Sequence, residues 1–336
     1  MRTWLARLRP DTYVMLIMLM VVLASLAPAQ GAAKPIADWA TRIAIGFVFF
    51  LHGARLSRGA VVAGLGHWRL HILILAVTFG LFPLLGLALA ALPEAITPRA
   101  LAPGLILLGC LPSTVQSSIA FTSIGRGNVP AAVAAATASN LLGVVLTPIL
   151  AGLLLRANGG GFSLHSLQSI ALQLLAPFAA GQILHPWLRT PIQRRAKMLS
   201  YADRGSILLV VYSAFSEAVV SGLWRQVSAL DLVRLLALCA LLLAVVLVAT
   251  RGLARALGFS KADEIAIVFC GSKKSLASGA PMASVLFPPA LVGPMILPLM
   301  IFHQIQLMAC AVIAQAYSAR PQTPEELAEA SPAAAH

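Results

Sequence analysis

Ten runs of roughly twenty apolar residues, separated by short basic gaps, constrain this chain more than any other feature. They lie near 12–29, 36–56, 70–92, 101–125, 129–155, 166–188, 206–224, 231–253, 264–287 and 290–317. At a rise of about 1.5 Å per residue, about twenty helical residues cross a hydrocarbon core about 30 Å thick. The runs are continuously apolar, whereas barrel strands would alternate at every second residue. The expectation is an all-α integral membrane protein of about ten transmembrane helices, with lipid as its principal neighbour. Hydrophobic residues make up 59% of the chain and charged ones 10%. A soluble domain carries about a quarter charged residues, so lipid must be the solvent for most of this surface.

The basic excess does not point to nucleic acid. The formal charge is +13, but the cations sit in the gaps between apolar runs, where topology signals belong. With the N-terminus inside, sixteen lie on inner segments: Arg2, Arg7, Arg9, Arg55, Arg58, Arg69, Arg126, Arg189, Arg194, Arg195, Lys197, Arg204, Arg251, Arg255, Lys261 and Arg320. Six lie outside (Lys34, Arg42, Arg99, Arg156, Arg225 and Arg234), and Lys273 and Lys274 fall within a span. This bias places both termini in the cytoplasm and the chain in the cell membrane as a multi-pass protein. Arg2, Arg7 and Arg9 before an apolar stretch ending Ala27-Pro28-Ala29 also fit a cleaved signal peptide. A division into two sets of five helices requires the first run as a retained helix. The tail beyond Arg320 is rich in Pro, Glu and Ala and reads as disordered. Cys110, Cys239, Cys270 and Cys310 have no paired spacing and read as buried thiols.

Two spans are interrupted by polar, helix-breaking residues. The fourth reads Leu108-Gly109-Cys110-Leu111-Pro112-Ser113-Thr114-Val115-Gln116-Ser117-Ser118. The ninth reads Phe269-Cys270-Gly271-Ser272-Lys273-Lys274-Ser275-Leu276-Ala277-Ser278-Gly279. Each stands fourth in a set of five, giving repeats at 1–157 and 158–319 and a tail at 320–336. An odd number of helices per repeat makes the second an inverted copy. Non-helical backbone at mid-membrane survives only where protein or a wet cavity satisfies it, and paired broken helices mark transporter binding sites.

At these residues the chain resembles the bile acid:sodium symporter superfamily, in the branch similar to human solute carrier family 10 member 7. The matching stretches include Phe49-Phe50-Leu51-His52-Gly53-Ala54-Arg55-Leu56, the Leu111–Ser118 segment, Gly127-Asn128, Asn140-Leu141-Leu142-Gly143 and Thr147-Pro148. Pro177-Phe178, Gly181-Gln182, the Val211–Glu217 segment and the Phe269–Leu276 segment complete them. The resemblance implies a panel domain and a core domain, with the two discontinuous helices crossing in the core beside sodium sites and substrate at the domain interface. Sodium-coupled members carry a Glu with nearby Gln in the ninth-span crossing. Here Ser272, Lys273 and Lys274 stand in that stretch, and an ammonium there would repel Na⁺ and could occupy its position.

The expected function is therefore secondary active transport of a small organic anion by alternating access, coupled to Na⁺ or H⁺. The expected substrate-binding residues are Ser113, Thr114 and Gln116 with Ser272, Lys273, Lys274 and Ser275. A charged side chain at the bilayer centre costs at least about 2.5 kcal/mol, so the lysines are rarely idle. Adjacent residues on a helix point about 100° apart, so they cannot face one cavity in the same way. Ser117, Ser118, Thr137 and Asn140 are the oxygen donors for a coupling ion, Thr137 and Asn140 sharing one face of the fifth span. Glu217 fits a partner for Lys273 or Lys274, a cation or proton site, or a structural ion pair. His303 and Gln304, with Gln306, fit the core lining. His52, His67 and His71 are placed at the lipid interface, and Trp4, Trp39, Trp68, Trp187 and Trp224 at helix ends as an aromatic belt. No P-loop, HExxH or catalytic constellation is found, so no enzyme activity, metal or further cofactor is expected, and no obligate protein partner. A non-transporting membrane regulator and an inorganic oxyanion exporter are the alternatives.

Overall fold

A computed structural model describes residues 12–55, 67–157 and 164–321. Arg2, Trp4, Arg7, Arg9, Arg58 and most of the expected tail lie outside the described residues. Those described form helices and connecting turns, with no strand among them. In chain order the helices are α1 (Thr12–Leu26), α2 (Ala33–Arg55), α3 (Trp68–Ala90), α4 (Ala102–Cys110), α5 (Gln116–Ile124) and α6 (Val129–Ala157). There follow α7 (Leu164–Arg194), α8 (Ala196–Val220), α9 (Ala229–Ala256), α10 (Lys261–Gly271), α11 (Leu276–Leu286) and α12 (Pro289–Ser318).

Five of these are long and apolar enough to cross a membrane: α2, α3, α6, α9 and α12. The other expected spans fall on elements that length and composition treat differently, for physical reasons. The fourth and ninth runs are each divided into two short helices, α4 with α5 and α10 with α11. The first forms α1, apolar but only 15 residues long. The sixth and seventh form α7 and α8, which carry more polar residues; α7 also contains Pro177, Pro186 and Pro191.

At most 44% of any spanning window is buried within the protein, so the remaining apolar surface has to face lipid. Val248 (73% exposed), Ile183 (67%) and Leu153 (60%) lie on those outer faces. Trp39, Trp68 and Trp187 are likewise exposed. This is a helical, multi-pass membrane protein.

The helix starts are written locally. At Ser228 a capping box joins its hydroxyl to the Asp231 N–H while the Asp231 carboxylate accepts from the Ser228 N–H. The Ser260 hydroxyl accepts from the Asp263 N–H, which opens α10 with two acids in its first turn, as the helix dipole favours.

Helices α1, α2, α7 and α8 pack as one group. α2 crosses α7 at Gly53 and Gly181, where a Cβ on Gly53 would fall on the Phe178 carbonyl and one on Gly181 on the Phe50 carbonyl. Small residues are what let membrane helices approach this closely without a hydrophobic driving force. α1 lays Ile17, Val21 and Ala24, one helical face, against the group, and Tyr212 donates to the Ala27 carbonyl at 2.8 Å. The remaining helices form a second group around the two breaks. Gly143 of α6 leaves room there for Pro112, whose Cβ would lie 2.7 Å from an added methyl. On its edge, the buried Glu264 carboxylate draws in Lys261 (2.7 Å), Arg255 (3.1 Å), Arg251 (3.6 Å) and the Tyr317 hydroxyl (2.9 Å), joining α9, α10 and α12.

Candidate functional site

The two breaks lie against each other, and every polar backbone group exposed there must find a partner inside the protein. Side chains from neighbouring helices supply them. In the first break, the Ser113 N–H donates to the Ser139 hydroxyl at 3.0 Å, while the Ser113 carbonyl accepts from the Asn140 amide at 2.7 Å. Thr147 donates to the Cys110 carbonyl at 2.8 Å. In the second, the Gln306 amide pairs with the Lys274 peptide in both directions, its oxygen accepting from N–H and its nitrogen donating to C=O, each at 2.8 Å. The breaks also hold each other. Ser113 donates to the Cys270 carbonyl (2.6 Å), Ser118 to the Phe269 carbonyl (3.0 Å), and the Ser275 N–H to the Pro112 carbonyl (2.9 Å).

Both lysines are fully buried in this junction. Lys274 donates to the carbonyls of Thr78 (2.8 Å), Gly109 (2.7 Å) and Leu111 (2.7 Å), with its Nζ 4.1 Å from the centre of the Phe82 ring. Lys273 donates to the Ser117 carbonyl at 2.8 Å, and its Nζ stands 3.8 Å from the centre of the Phe121 ring. Carbonyl dipoles and aromatic faces are the neighbours of both charges.

A cavity of about 350 Å³ opens between the two helix groups. Beyond the breaks, the chain resumes as helices α5 and α11, and the first turns of both face this space through Thr114–Ser117 and Ser275–Ser278. Thr137, Asn140 and His303 line it from the same group. From the other group come Tyr13, Phe49, His52, Arg55, Phe178, Asp203 and Arg204. Arg55 pairs with Asp203 at 3.3 Å, while Arg204 lies over the Tyr13 ring at 5.3 Å with no carboxylate partner among the described residues. His52 donates from Nδ1 to the Val48 carbonyl at 2.7 Å.

The residues expected at a substrate or ion site thus separate. Thr114, Gln116, Ser117, Thr137, Asn140, Ser275 and His303 share the cavity. Asn140 spends its amide on the Ser113 and Ala136 carbonyls and accepts from Ser278 at 2.9 Å. Ser113, Ser118, Ser272, Lys273 and Lys274 are buried behind the cavity lining, Ser272 bonding its own helix at Val268. Gln304 lies on α12 and does not line the cavity. Glu217 is ion-paired with Lys34 of α2 and not with Lys273 or Lys274, whose ammonium groups are taken by backbone carbonyls. His52, expected at the lipid interface, lines the cavity instead. Arg55, Asp203 and Arg204 were not anticipated, because as residues at span ends their charges read only as topology signals; an acid beside an arginine before a span, in a chain of 11 acids, was the available clue.

Comparison with known proteins agrees with this architecture. The model of the SBF-like CPA transporter family matches residues 11–319. An uncharacterised protein of Pseudomonas aeruginosa is 57% identical over 94% of this chain and 95% of its own length. YfeH of Escherichia coli, which carries a provisional symporter name, is 49% identical over 96% of this chain and 97% of its own. A zebrafish (Danio rerio) protein named sodium/bile acid cotransporter 7 is 26% identical over 92% and 94%. The two broken helices, the cavity beside them and a family match running through both place this chain in the SBF-like CPA transporter family, within the bile acid:sodium symporter superfamily.

Proposed function

We propose that this protein is a secondary active transporter of a small organic anion in the cytoplasmic membrane, with ten membrane crossings in two inverted sets of five. One observation carries the reading: the N-terminal turns of α5 and α11 open into a cavity whose charged lining is two arginines and one aspartate. Helix N-termini carry partial positive charge and unpaired N–H groups, so an anion is favoured there. The volume supports an organic body over a bare oxyanion, since pockets for small organic ligands begin near about 300 Å³. Arg204, stacked on Tyr13 rather than neutralised by an acid, supplies the charge that attracts the anion.

The packing supports the inverted repeat. The pairing of α2 with α7 has its counterpart in α8 with α1, and α3 with α4 in α9 with α10, when the first span is matched to the sixth. It also supports α1 as a span of the working protein, and the family match begins at residue 11. A coupling Na⁺ is assigned to the cavity hydroxyl oxygens of Thr114, Ser117 and Thr137, of which Thr114 and Ser117 bond each other at 2.7 Å; a coupling H⁺ needs a titratable group, and the lining offers His52 and His303. Ser118 and Asn140 spend their groups on the breaks, and Glu217 is held by Lys34.

Reconstituted protein is to be screened against carboxylate, sulfonate and phosphate compounds, under Na⁺ and pH gradients applied separately. Uptake of an organic anion driven by one gradient is expected. Arg204→Gln should raise KM about tenfold, the loss of about one charge-assisted contact, while leaving the thermal midpoint unchanged. Binding without flux would replace transport with a sensory role, and an unchanged KM would remove Arg204 from the site.

A further inference from the structure

The carbonyl cage around Lys274 is built by prolines. In the wide turn Val77–Leu81 of α3, the Phe82 N–H bonds back five residues to the Val77 carbonyl. The next carbonyl in that register is Thr78, and its partner would be the N–H of residue 83, which is Pro83 and has none. At the end of α4 the Gly109 carbonyl meets the same fate. Three residues on is Pro112, without an N–H, and four on is Ser113, whose N–H goes to Ser139. Leu111 is extended, at φ −76° and ψ 154°, so its carbonyl turns out of the helix. Three orphaned oxygens therefore converge on one point, and the Lys274 Nζ stands there at 2.7–2.8 Å from each. An ammonium has three N–H donors, and all three are used.

Such a cage is what a bare monovalent cation needs: converging carbonyl oxygens that replace its hydration shell. We propose that Lys274 is a tethered cation, filling a monovalent-cation site that the fourth-span break and the wide turn of α3 before Pro83 create, so that the charge at this junction is part of the chain rather than drawn from solution. Three features support it beyond the distances. The ammonium is fully buried, no carboxylate pairs with it among the described residues, and the faces of Phe82 (4.1 Å) and Phe79 (6.0 Å) flank it as they would a free cation. The consequence is a junction that stays assembled at any external Na⁺ concentration. This concerns α3, α4 and the ninth-span break and is independent of what the cavity carries.

The test is a thermal-stability series on detergent-purified protein without substrate, comparing wild type, Lys274→Ala and Lys274→Met. Solubilisation and measurement are done in choline chloride and, separately, in the chlorides of ammonium, methylammonium, K⁺ and Na⁺. Lys274→Ala leaves the cage empty and open. Its midpoint should fall in choline and recover by about 4 °C or more in at least one small cation, beyond any rise in wild type. Lys274→Met refills the approach with an apolar stem and should show no recovery. A Lys274→Ala midpoint equal in all salts, failure to recover that variant in any of them, or equal recovery of Lys274→Met would each overturn the proposal. Because the readout is stability rather than flux, its failure leaves the anion-transport reading to be judged by uptake.

Discussion

At the residue scale, the breaks show why polar side chains deep in a membrane protein need not be ligands. Ser113, Ser118, Thr147, Asn140 and Gln306 each satisfy a carbonyl or an N–H that the interrupted helices release. Water is not there to do so, and an unpaired buried group costs about 1–3 kcal/mol. Asn140 is the most committed, joining the first break to α11 through Ser113 and Ser278. Asn140→Ala should therefore lower stability by about 1–3 kcal/mol, read as a lower thermal midpoint with no ligand present. A variant that keeps the wild-type midpoint but loses cation dependence would instead assign Asn140 to the coupling ion. Lys273 and Lys274 follow the same logic: one carbonyl and two aromatic faces meet the first charge, three carbonyls the second, and the cavity lining lies elsewhere.

At the element scale, charge clusters hold helix ends together where the apolar faces alone are interchangeable. Glu264 stands at the first turn of α10 with its side chain 5% exposed, compensated by Lys261 of its own helix and by Arg251 and Arg255 of α9. Tyr317 brings the end of α12 to the same carboxylate. Breaking a buried pair costs about 3–5 kcal/mol, but both arginines reach solvent, which screens part of that. Glu264→Gln should cost about 2 kcal/mol, measured by thermal unfolding, and should raise the sensitivity of α9 and the end of α12 to proteolysis. An unchanged midpoint would show the cluster to be a solvated surface. The same short reach of interaction governs α2 and α7, whose close crossing is permitted by two glycines and pinned at its end by the His185 ring bonding the Ala54 carbonyl at 2.7 Å.

At the scale of the whole molecule, the packing of the two helix groups is lopsided. α8 packs on α11 and α12, and α7 on α6 and α11, whereas α2 has no comparable packing on α5 or α6. The cavity fills the missing interface, between Phe49 and His52 on one side and Thr137 and Asn140 on the other. It lies at the Arg55 and Arg204 end, which the proposed orientation makes the cytoplasmic end. Under the inverted-repeat reading, the opposite-facing state would bring α2 onto α6 and open the space along α8. A single Thr137→Cys should thus react with an impermeant thiol reagent from the cytoplasmic side in inside-out vesicles. All four native cysteines are buried, so the signal reports one site. Substitution Gly293→Val, which drives a side chain into Ala218 of α8, should increase labelling from the outside. Equal labelling from both sides at the outset would reject a cytoplasm-facing cavity. Much of this was readable from the chain: continuous apolar runs dictate helices in lipid, and Pro112 with its polar neighbours announces a break, because both effects act over a few residues. The partners of those residues were not readable. Whether Lys274 faces a ligand or three carbonyls depends on Pro83, Gly109 and Leu111, which lie more than 160 positions away along the chain. His52, Arg55 and Arg204 became cavity residues only when α2 was set against α8. The sequence by itself determined the solvent, the helices and where they break, through local backbone chemistry; the tertiary structure alone decided which charges meet the cavity, since that depends on packing between distant segments.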